Sequence, residues 1–271
     1  MKNSILTLLA ALFLLVSCNR EDMNLAADSE LVAANATADF TSEADFTYGT
    51  DVAQNNASYD SRLAGPVSMV NCGSIQINNT NPGVFPKVFT VDFGAGCTFN
   101  GITRSGILII TLSDYLLNNG SVMTIERNNY YVNGNKIDGT VTYTNQTTNT
   151  AIPQWIRTIA NGQITFSNGQ VFTHSGTRTV RQIEGFTTAT LADNVYEIIA
   201  GNHTVNRSNG SSLTATIVTP LIRKFSCNYL SQGSLDLQGT YLDGILDYGN
   251  NTCDNQATYT HSNGQVFAVS L

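Results

Sequence analysis

Short apolar stretches separated by turn residues recur along the chain from about residue 70 to its end. Alternation of apolar and polar residues is typical of strands with one buried face, and an unbroken apolar run indicates a strand buried on both faces. Residues 87–93 have a strand pattern that ends at Gly94, and residues 106–112 are apolar on both faces, which predicts a central strand. Further strands are predicted at residues 130–132, 136–144, 156–160, 163–166, 171–182, 195–205, 212–219, 234–241 and 265–271.

Asn-Gly dipeptides recur in and between these predicted strands. They favour two-residue hairpin turns, because both central positions of a type I′ turn need a positive φ. Turns this frequent indicate a meander of short antiparallel strands, and a sheet of about a dozen strands should curl into a barrel or fold into a sandwich. We therefore predict an all-β domain. The dipeptides lie at residues 119–120, 133–134, 161–162, 168–169, 209–210 and 263–264.

The N-terminus has the pattern of a lipoprotein export signal. Lys2 precedes an apolar run over residues 5–16, which is shorter than the roughly 20 apolar residues needed to span a bilayer. The run leads into the sequence LVSC, which has the form of a bacterial lipobox. We expect cleavage after residue 17 and lipidation of Cys18, so that the membrane is a partner through a lipid anchor. The alternative is an ordinary signal peptide with a cysteine near its cleavage site.

Acidic residues are concentrated directly after this signal. Residues 19–65 carry nine of the twenty acidic residues and only two of the thirteen basic ones, whereas residues 66–271 are close to neutral. A segment with so few large apolar side chains should not bury enough surface to offset its chain entropy. We therefore expect a signal peptide at 1–17, a lipidated cysteine with a flexible acidic tether at 18–65, and a single β domain at 66–271. The lack of a basic patch argues against nucleic acid as a partner.

Four further cysteines fall into two groups with matching spacing. Cys72 and Cys97 enclose one Asp-aromatic-Gly triplet and Cys227 and Cys253 enclose another, each beginning twenty residues after the first cysteine. The spacing predicts two disulfide-closed hairpins, 72–97 and 227–253, although four cysteines allow three pairings. A zinc site is the alternative, but no Cys-x-x-Cys spacing supports it. In each triplet we expect the aspartate to accept a bond from its own turn and the glycine to supply a positive φ.

These features together resemble uncharacterised β-rich lipoproteins of Bacteroidota. The resemblance rests on the lipobox, the acidic segment and the hairpin motifs DFGxGC and LDYGxxTCDN, and it spans most of the chain. The Arg-Glu-Asp sequence at residues 20–22 also resembles the surface-export signal of such lipoproteins; a solvated linker is the alternative. The resemblance implies an outer-membrane, surface-exposed location and brings no activity with it.

Aromatic residues supply the candidate ligand-binding site. Trp155, Tyr130 and Tyr131 could form an exposed platform, because flat apolar faces stack on sugar rings. Burial in the core is the alternative for aromatic residues in strands. The ligand would be a glycan or a protein.

No pattern in the sequence identifies a catalytic site, a metal site or a cofactor. His174, His203 and His261 lie far apart, no G-x-S-x-G motif marks a nucleophile, and we expect these histidines to be solvated. Residues 247–254 are rich in the oxygen ligands that calcium uses but fit no EF-hand spacing, so an ordinary turn is expected there.

Two functions from different classes remain. The first is a surface lipoprotein with a non-catalytic β scaffold that binds a ligand or partner, which the scarcity of His, Glu and Lys favours. The alternative is a hydrolase acting on a polymer such as a glycan. Asp236, Asp243 and Asp247 are its candidate carboxylates, but the sequence selects no pair among them. A deep cleft with convergent carboxylates or histidines would favour the hydrolase.

Overall fold

The computed structural model of the chain describes residues 20–56, 72–99, 101–188, 190–240 and 242–271. The expected signal peptide at 1–17, Cys18 and the end of the expected tether at 57–65 lie outside the described residues. Within them the chain forms one helix, α1 (Arg20–Asn56), and fourteen strands. The strands are β1 (Ser74–Ile77), β2 (Lys87–Asp92), β3 (Cys97–Phe99), β4 (Ile102–Leu112), β5 (Val122–Val132), β6 (Asn135–Asn145), β7 (Gln154–Thr165), β8 (Val171–Glu184), β9 (Val195–Arg207), β10 (Ser212–Lys224), β11 (Gln232–Gly239), β12 (Asp243–Asn250), β13 (Gln256–His261) and β14 (Val266–Ser270).

The strands form one antiparallel sheet in which almost every strand pairs with its neighbours in sequence. Strand β3 is the exception, since it pairs with β4 beside β2. The predicted all-β antiparallel meander is therefore confirmed. The sheet is not closed into a barrel, because β1 and β14 are the ends of the strand order and do not pair with each other.

Glycine residues within the long strands allow a close approach of neighbouring backbones. Gly106 of β4 has a φ of +80°, and a Cβ at this position would lie 1.9 Å from the carbonyl oxygen of Asn129 on β5. Gly201 of β9 is equally close to the carbonyl oxygen of Thr177 on β8, at 2.0 Å. Register shifts interrupt both pairs of strands. Because bulges bend strands and increase their twist, these irregularities let the sheet curl so that one face becomes concave.

Four of the six Asn-Gly dipeptides lie in hairpin connections, which join β5 to β6, β7 to β8, β9 to β10 and β13 to β14. Only residues 133–134 form the predicted two-residue turn with a positive φ at both positions, whereas the other three connections are four or five residues long and have a positive φ at the glycine alone. The dipeptide at 161–162 is a correction: it lies inside β7, where Asn161 has a φ of +52° and no turn forms. A Cβ at Gly139 of β6 would lie 2.6 Å from the carbonyl oxygen of Asn161. The positive φ therefore serves a bulge packed against β6, so the two predicted strands at 156–160 and 163–166 are one strand, β7, which ends at Thr165.

Helix α1 corrects the expectation of a flexible tether over much of 18–65. Its side chains from Leu31 to Ala53 are mostly buried, among them many that are polar. Phe46 is 1% exposed and packs against Tyr143, Trp155 and Tyr196, with ring centroids 4.5–5.8 Å apart. The expectation assumed that a segment poor in apolar side chains cannot be buried. Here three of the buried acids, Asp39, Glu43 and Asp45, are paired with arginines of the sheet, which removes most of the penalty of burying them.

Both predicted disulfides are present. Cys72–Cys97 encloses the β1–β2 hairpin and Cys227–Cys253 encloses the β11–β12 hairpin. The two Asp-aromatic-Gly triplets also have the expected turn geometry. The backbone N–H of Gly94 donates to Asp92 at 2.8 Å, and that of Gly249 donates to Asp247 at 2.7 Å. Both glycines have a positive φ.

Candidate functional site

Five buried arginines line the concave face of the sheet, and we call them the arginine cluster. Each comes from a different strand, and their side chains are at most 5% exposed. They alternate with apolar side chains that face the same way, so the pleat of each strand places them in the interior. The cluster is an uncommon use of a concave sheet face, because a buried guanidinium needs a compensating carboxylate. Its members are Arg104 of β4, Arg127 of β5, Arg157 of β7, Arg178 of β8 and Arg223 of β10.

Asp45 of α1 is the centre of the densest network. Its Oδ2 accepts hydrogen bonds from Nε and Nη2 of Arg127 at 3.0 and 2.8 Å. The hydroxyl of Tyr130 donates to Oδ1 at 2.7 Å and itself accepts a bond from Nε of Arg104 at 3.1 Å. Burial, followed by the negative charge of Asp45, raises the pKa of Tyr130 well above its usual value, so this hydroxyl remains a donor. Asp45 thus bonds directly to two side chains of β5 and is linked through Tyr130 to Arg104 of β4.

Asp39 and Glu43 hold the next part of the cluster. They are four residues apart and therefore lie on the same side of the helix. Arg178 donates to Asp39, and Arg157 donates to Glu43 and lies 3.6 Å from Asp39. All four side chains are at most 3% exposed. The helix therefore binds the sheet through its acidic side chains as well as through Phe46.

Two histidines extend this polar contact and correct the expectation that they are solvated. His174 is 4% exposed and His203 is 1% exposed. Nδ1 of His203 lies 2.8 Å from Oδ1 of Asn35 on the helix, and its Nε2 lies 3.0 Å from Nδ1 of His174. Burial, reinforced by nearby arginines, lowers the pKa of His174 to about 4 and that of His203 well below its usual value. Both rings are therefore neutral near pH 7 and link the helix to β8 and β9.

The structure also contradicts the expected exposed aromatic platform. Trp155 and Tyr130 are 1% and 0% exposed and face the helix. The indole N–H of Trp155 lies 3.4 Å from the carbonyl oxygen of Leu116, as expected for a core residue. Tyr131 is half-buried and follows Tyr130 directly in β5, so it points to the opposite face of the sheet. The three rings thus do not share one exposed face.

The candidate carboxylates of the hydrolase alternative lie on exposed or half-exposed positions of β11 and β12. Nε2 of Gln238 donates to Asp236 at 3.0 Å and to Asp243 at 2.9 Å, so these two lie close together. The hydrogen bond from Gln238 lowers the pKa of Asp243, whereas a general acid needs a raised pKa. Asp247 instead accepts a bond from the backbone of its own turn. This geometry does not create an acid–base pair.

Residues 247–254 cover the end of β12 and the start of its connection to β13, and both aspartates in this segment have hydrogen-bond partners. Asp254 accepts a hydrogen bond from Thr252 at 2.6 Å and another from the backbone N–H of Gln256 at 3.0 Å. Across the described residues, no three His, Cys, Asp or Glu side chains are grouped so that they could hold a metal ion. The same part of the chain contains no helix that is long and apolar enough to cross a membrane.

Sequence reasoning missed the arginine cluster, although a signal for it was present. In the predicted strands, Arg157 and Arg178 have the same parity as the buried residues Trp155 and Val180. Strand pleating therefore places these charges on the apolar face. The concentration of acidic residues in 19–65 is the complementary signal, because it supplies the carboxylates that buried arginines require, although the same composition also fits a tether.

Comparisons with protein-family models, with curated proteins and with solved structures found no match to this chain. The fold and the site define the class: an all-β protein with an open, curled antiparallel sheet whose concave face is occupied by its own acidic helix.

Proposed function

We propose that this protein is a lipid-anchored lipoprotein of the outer membrane, displayed at the cell surface, whose β domain is a non-catalytic binding scaffold. The supporting observation is the occupied concave face. In a curled sheet this face is the natural place for a ligand or substrate. Here the helix fills it, and the carboxylates Asp39, Glu43 and Asp45 neutralise arginines instead of facing solvent. Binding to the outside of the sheet is the function that this arrangement leaves open.

Strand β14 offers the best surface for a protein partner. Among the strands that the structure describes it pairs only with β13, so one side of its backbone is available for an added strand. Val266 is 63% exposed and Phe267 is 38% exposed, and the strand carries no charged side chain that would oppose pairing. We therefore expect a partner to contact this edge.

The test is an array of glycans and candidate protein partners probed with residues 19–271, which keep the helix on the sheet. Specific, saturable binding without turnover supports the scaffold. For a protein hit, Val266→Asp should weaken binding, whereas Val171→Asp, on an exposed position of the interior strand β8, should not. Hydrolysis of a glycan that is lost in Asp236→Asn or Asp243→Asn would instead establish the hydrolase.

The lipid anchor has a separate test. Cys18→Ala should move the full-length protein from the membrane fraction to the soluble fraction and abolish acylated N-terminal peptides in mass spectrometry. Membrane retention of this variant would contradict the anchor. Protease digestion of intact cells then decides between the cell surface and the periplasmic side.

A further inference from the structure

A small cavity lies where α1 meets two loops of the sheet. It has a volume of about 40 Å³ and is partly open to solvent. Its walls come from the helix, from the β3–β4 hairpin and from the connection between β10 and β11. The apolar side chains of Phe99, Ile102 and Phe225 form much of the surface, and Arg104, Arg223 and Asp51 supply the charges.

Arg223 is one of two members of the arginine cluster that have no ion pair with a described carboxylate. Its side chain is 3% exposed, its Nη1 donates to the backbone carbonyl of Lys224, and its Nε has no hydrogen-bond partner. Among the described residues, no carboxylate lies within ion-pair distance of Arg223. Burial lowers its pKa to about 10, as expected for a cation that has lost its water without gaining an equal partner.

Arg104 is the second cation of the cavity, and its hydrogen bonds are also with neutral groups. Its Nε donates to Tyr130 and its Nη2 donates to the carbonyl oxygen of Ala44 at 3.3 Å, while its guanidinium lies 5.2 Å from the ring centroid of Tyr48. The three other arginines of the cluster pair with Asp39, Glu43 and Asp45. The two that do not are thus the two that line the cavity. Asp51 is the acidic residue of the cavity wall.

We propose that this cavity binds the carboxylate of a short monocarboxylic acid, with Arg223 as the main partner of the carboxylate. Neither Arg223 nor Arg104 has an ion pair with a described carboxylate, so a bound carboxylate would supply the missing negative charge, and the acidic side chain of Asp51 in the same wall disfavours a ligand with two negative charges. The volume exceeds the roughly 10–15 Å³ that a cavity needs to hold one water, so a group the size of a carboxylate fits. The apolar walls suit the short hydrocarbon part, and a guanidinium is the side chain best shaped to bind a carboxylate.

This inference deepens the scaffold proposal by naming a ligand class, and it rests on that proposal in treating the protein as a binding protein. The two can fail separately. If acetate binds but no partner is found on the array, the carboxylate site is supported and the proposed macromolecular partner is not. If a partner is found on the array but acetate does not bind, the binding scaffold is supported and the carboxylate site is not.

The probe is sodium acetate, titrated into residues 19–271 at constant ionic strength set with sodium chloride. We expect a saturable rise in Tm of about 5–10 °C at one hundred times the Kd. Saturation-transfer NMR on acetate gives a second readout of contact. Propionate should behave like acetate, and sulfate, which is a dianion at neutral pH, should give no saturable shift.

Arg223→Met is the decisive variant. Methionine has a similar length and removes an uncompensated buried charge, so the variant should fold as well as the parent in chloride alone. It should lose the shift with acetate and the NMR signal. The matched control is Arg181→Met, because Arg181 is a partly exposed arginine of β8 paired with Glu197, and it should keep both. An equal acetate response in Arg223→Met and the parent, or no response in the parent, would overturn the proposal.

Discussion

Asp45→Asn is expected to lower the free energy of unfolding by about 3 kcal/mol. The change neutralises the carboxylate that accepts bonds from Arg127 and Tyr130, and both members of the ion pair are 1% exposed. Removing one partner of a buried ion pair costs about 3–5 kcal/mol, since the other charge stays buried without compensation. Asparagine keeps one oxygen that can still accept a hydrogen bond, so the expected loss is at the lower end of this range. For a domain of this size the loss corresponds to a fall in Tm of about 6–12 °C.

Urea unfolding followed by tryptophan fluorescence measures this change directly. Trp155 is the only tryptophan, is 1% exposed and lies 5.8 Å from the ring of Phe46 on the helix. Its emission therefore reports the contact between helix and sheet. The matched control is Asp138→Asn, which removes a pair with Lys136 whose side chains are about one-third exposed. Such a pair contributes at most about 1 kcal/mol.

A double variant separates the ion pair from other effects of the substitution. Asp45→Leu combined with Arg127→Met removes both charges, and buried pairs replaced by apolar residues are often close to neutral in stability. We expect it to recover most of the loss. If Asp45→Asn instead behaves like Asp138→Asn, or if a chain without residues 19–56 melts like the mature chain, the helix does not occupy the sheet in solution and the flexible tether is restored.

Three further predictions concern the sheet. Lowering the pH from 7 to 5 should cost about 2 kcal/mol through His174, because the unfolded ring takes up a proton near pH 6.5 and the folded ring only near pH 4. The contribution of His174 to stability is thus present above the unfolded pKa and is lost as the pH falls. Urea titrations of His174→Leu at pH 7 and pH 5 should lack the loss of about 2 kcal/mol. Replacing Cys227 and Cys253 together by alanine should cost roughly 3.5 kcal/mol in urea unfolding, given the 26-residue separation, and no loss would contradict the role of this disulfide. Gly201→Ala should greatly lower the Tm, whereas Gly210→Ala, also at positive φ but in an open turn, should cost far less; equal losses would refute the close-approach argument.

The sequence alone predicts the strands in which buried and exposed side chains alternate clearly. Strands such as β2 and β8 were predicted within a few residues, because each buries large side chains at every second position. Strands β12 and β13 were not predicted as separate elements. They are short and bury few large apolar side chains, and they depend on pairing with neighbours for their definition. Local patterns cannot report such pairing.

Helix α1 was not predicted because it lacks the apolar stripe by which amphipathic helices are recognised. Leu31, Phe46 and Val52 are buried, but so are Asp39 and Glu43. A pattern of apolar residues cannot show that acids are buried, since their burial depends on arginines more than one hundred residues away. The aromatic platform failed for a related reason: the sequence does not show that the inner face has an occupant.

The distribution of charge nevertheless constrains where the occupant comes from. An arginine on the apolar parity of a strand, such as Arg157 or Arg178, is expected to be buried, and a carboxylate is the group that best compensates a buried guanidinium. All eleven acidic residues of the sheet region, residues 66–271, are exposed or half-buried, so none of them can fill this need in the interior. The required carboxylates must then come from outside the sheet, and residues 19–65 hold all the others. An acidic segment beside a β domain with inward-facing arginines therefore indicates an internal partner of the sheet as readily as a tether.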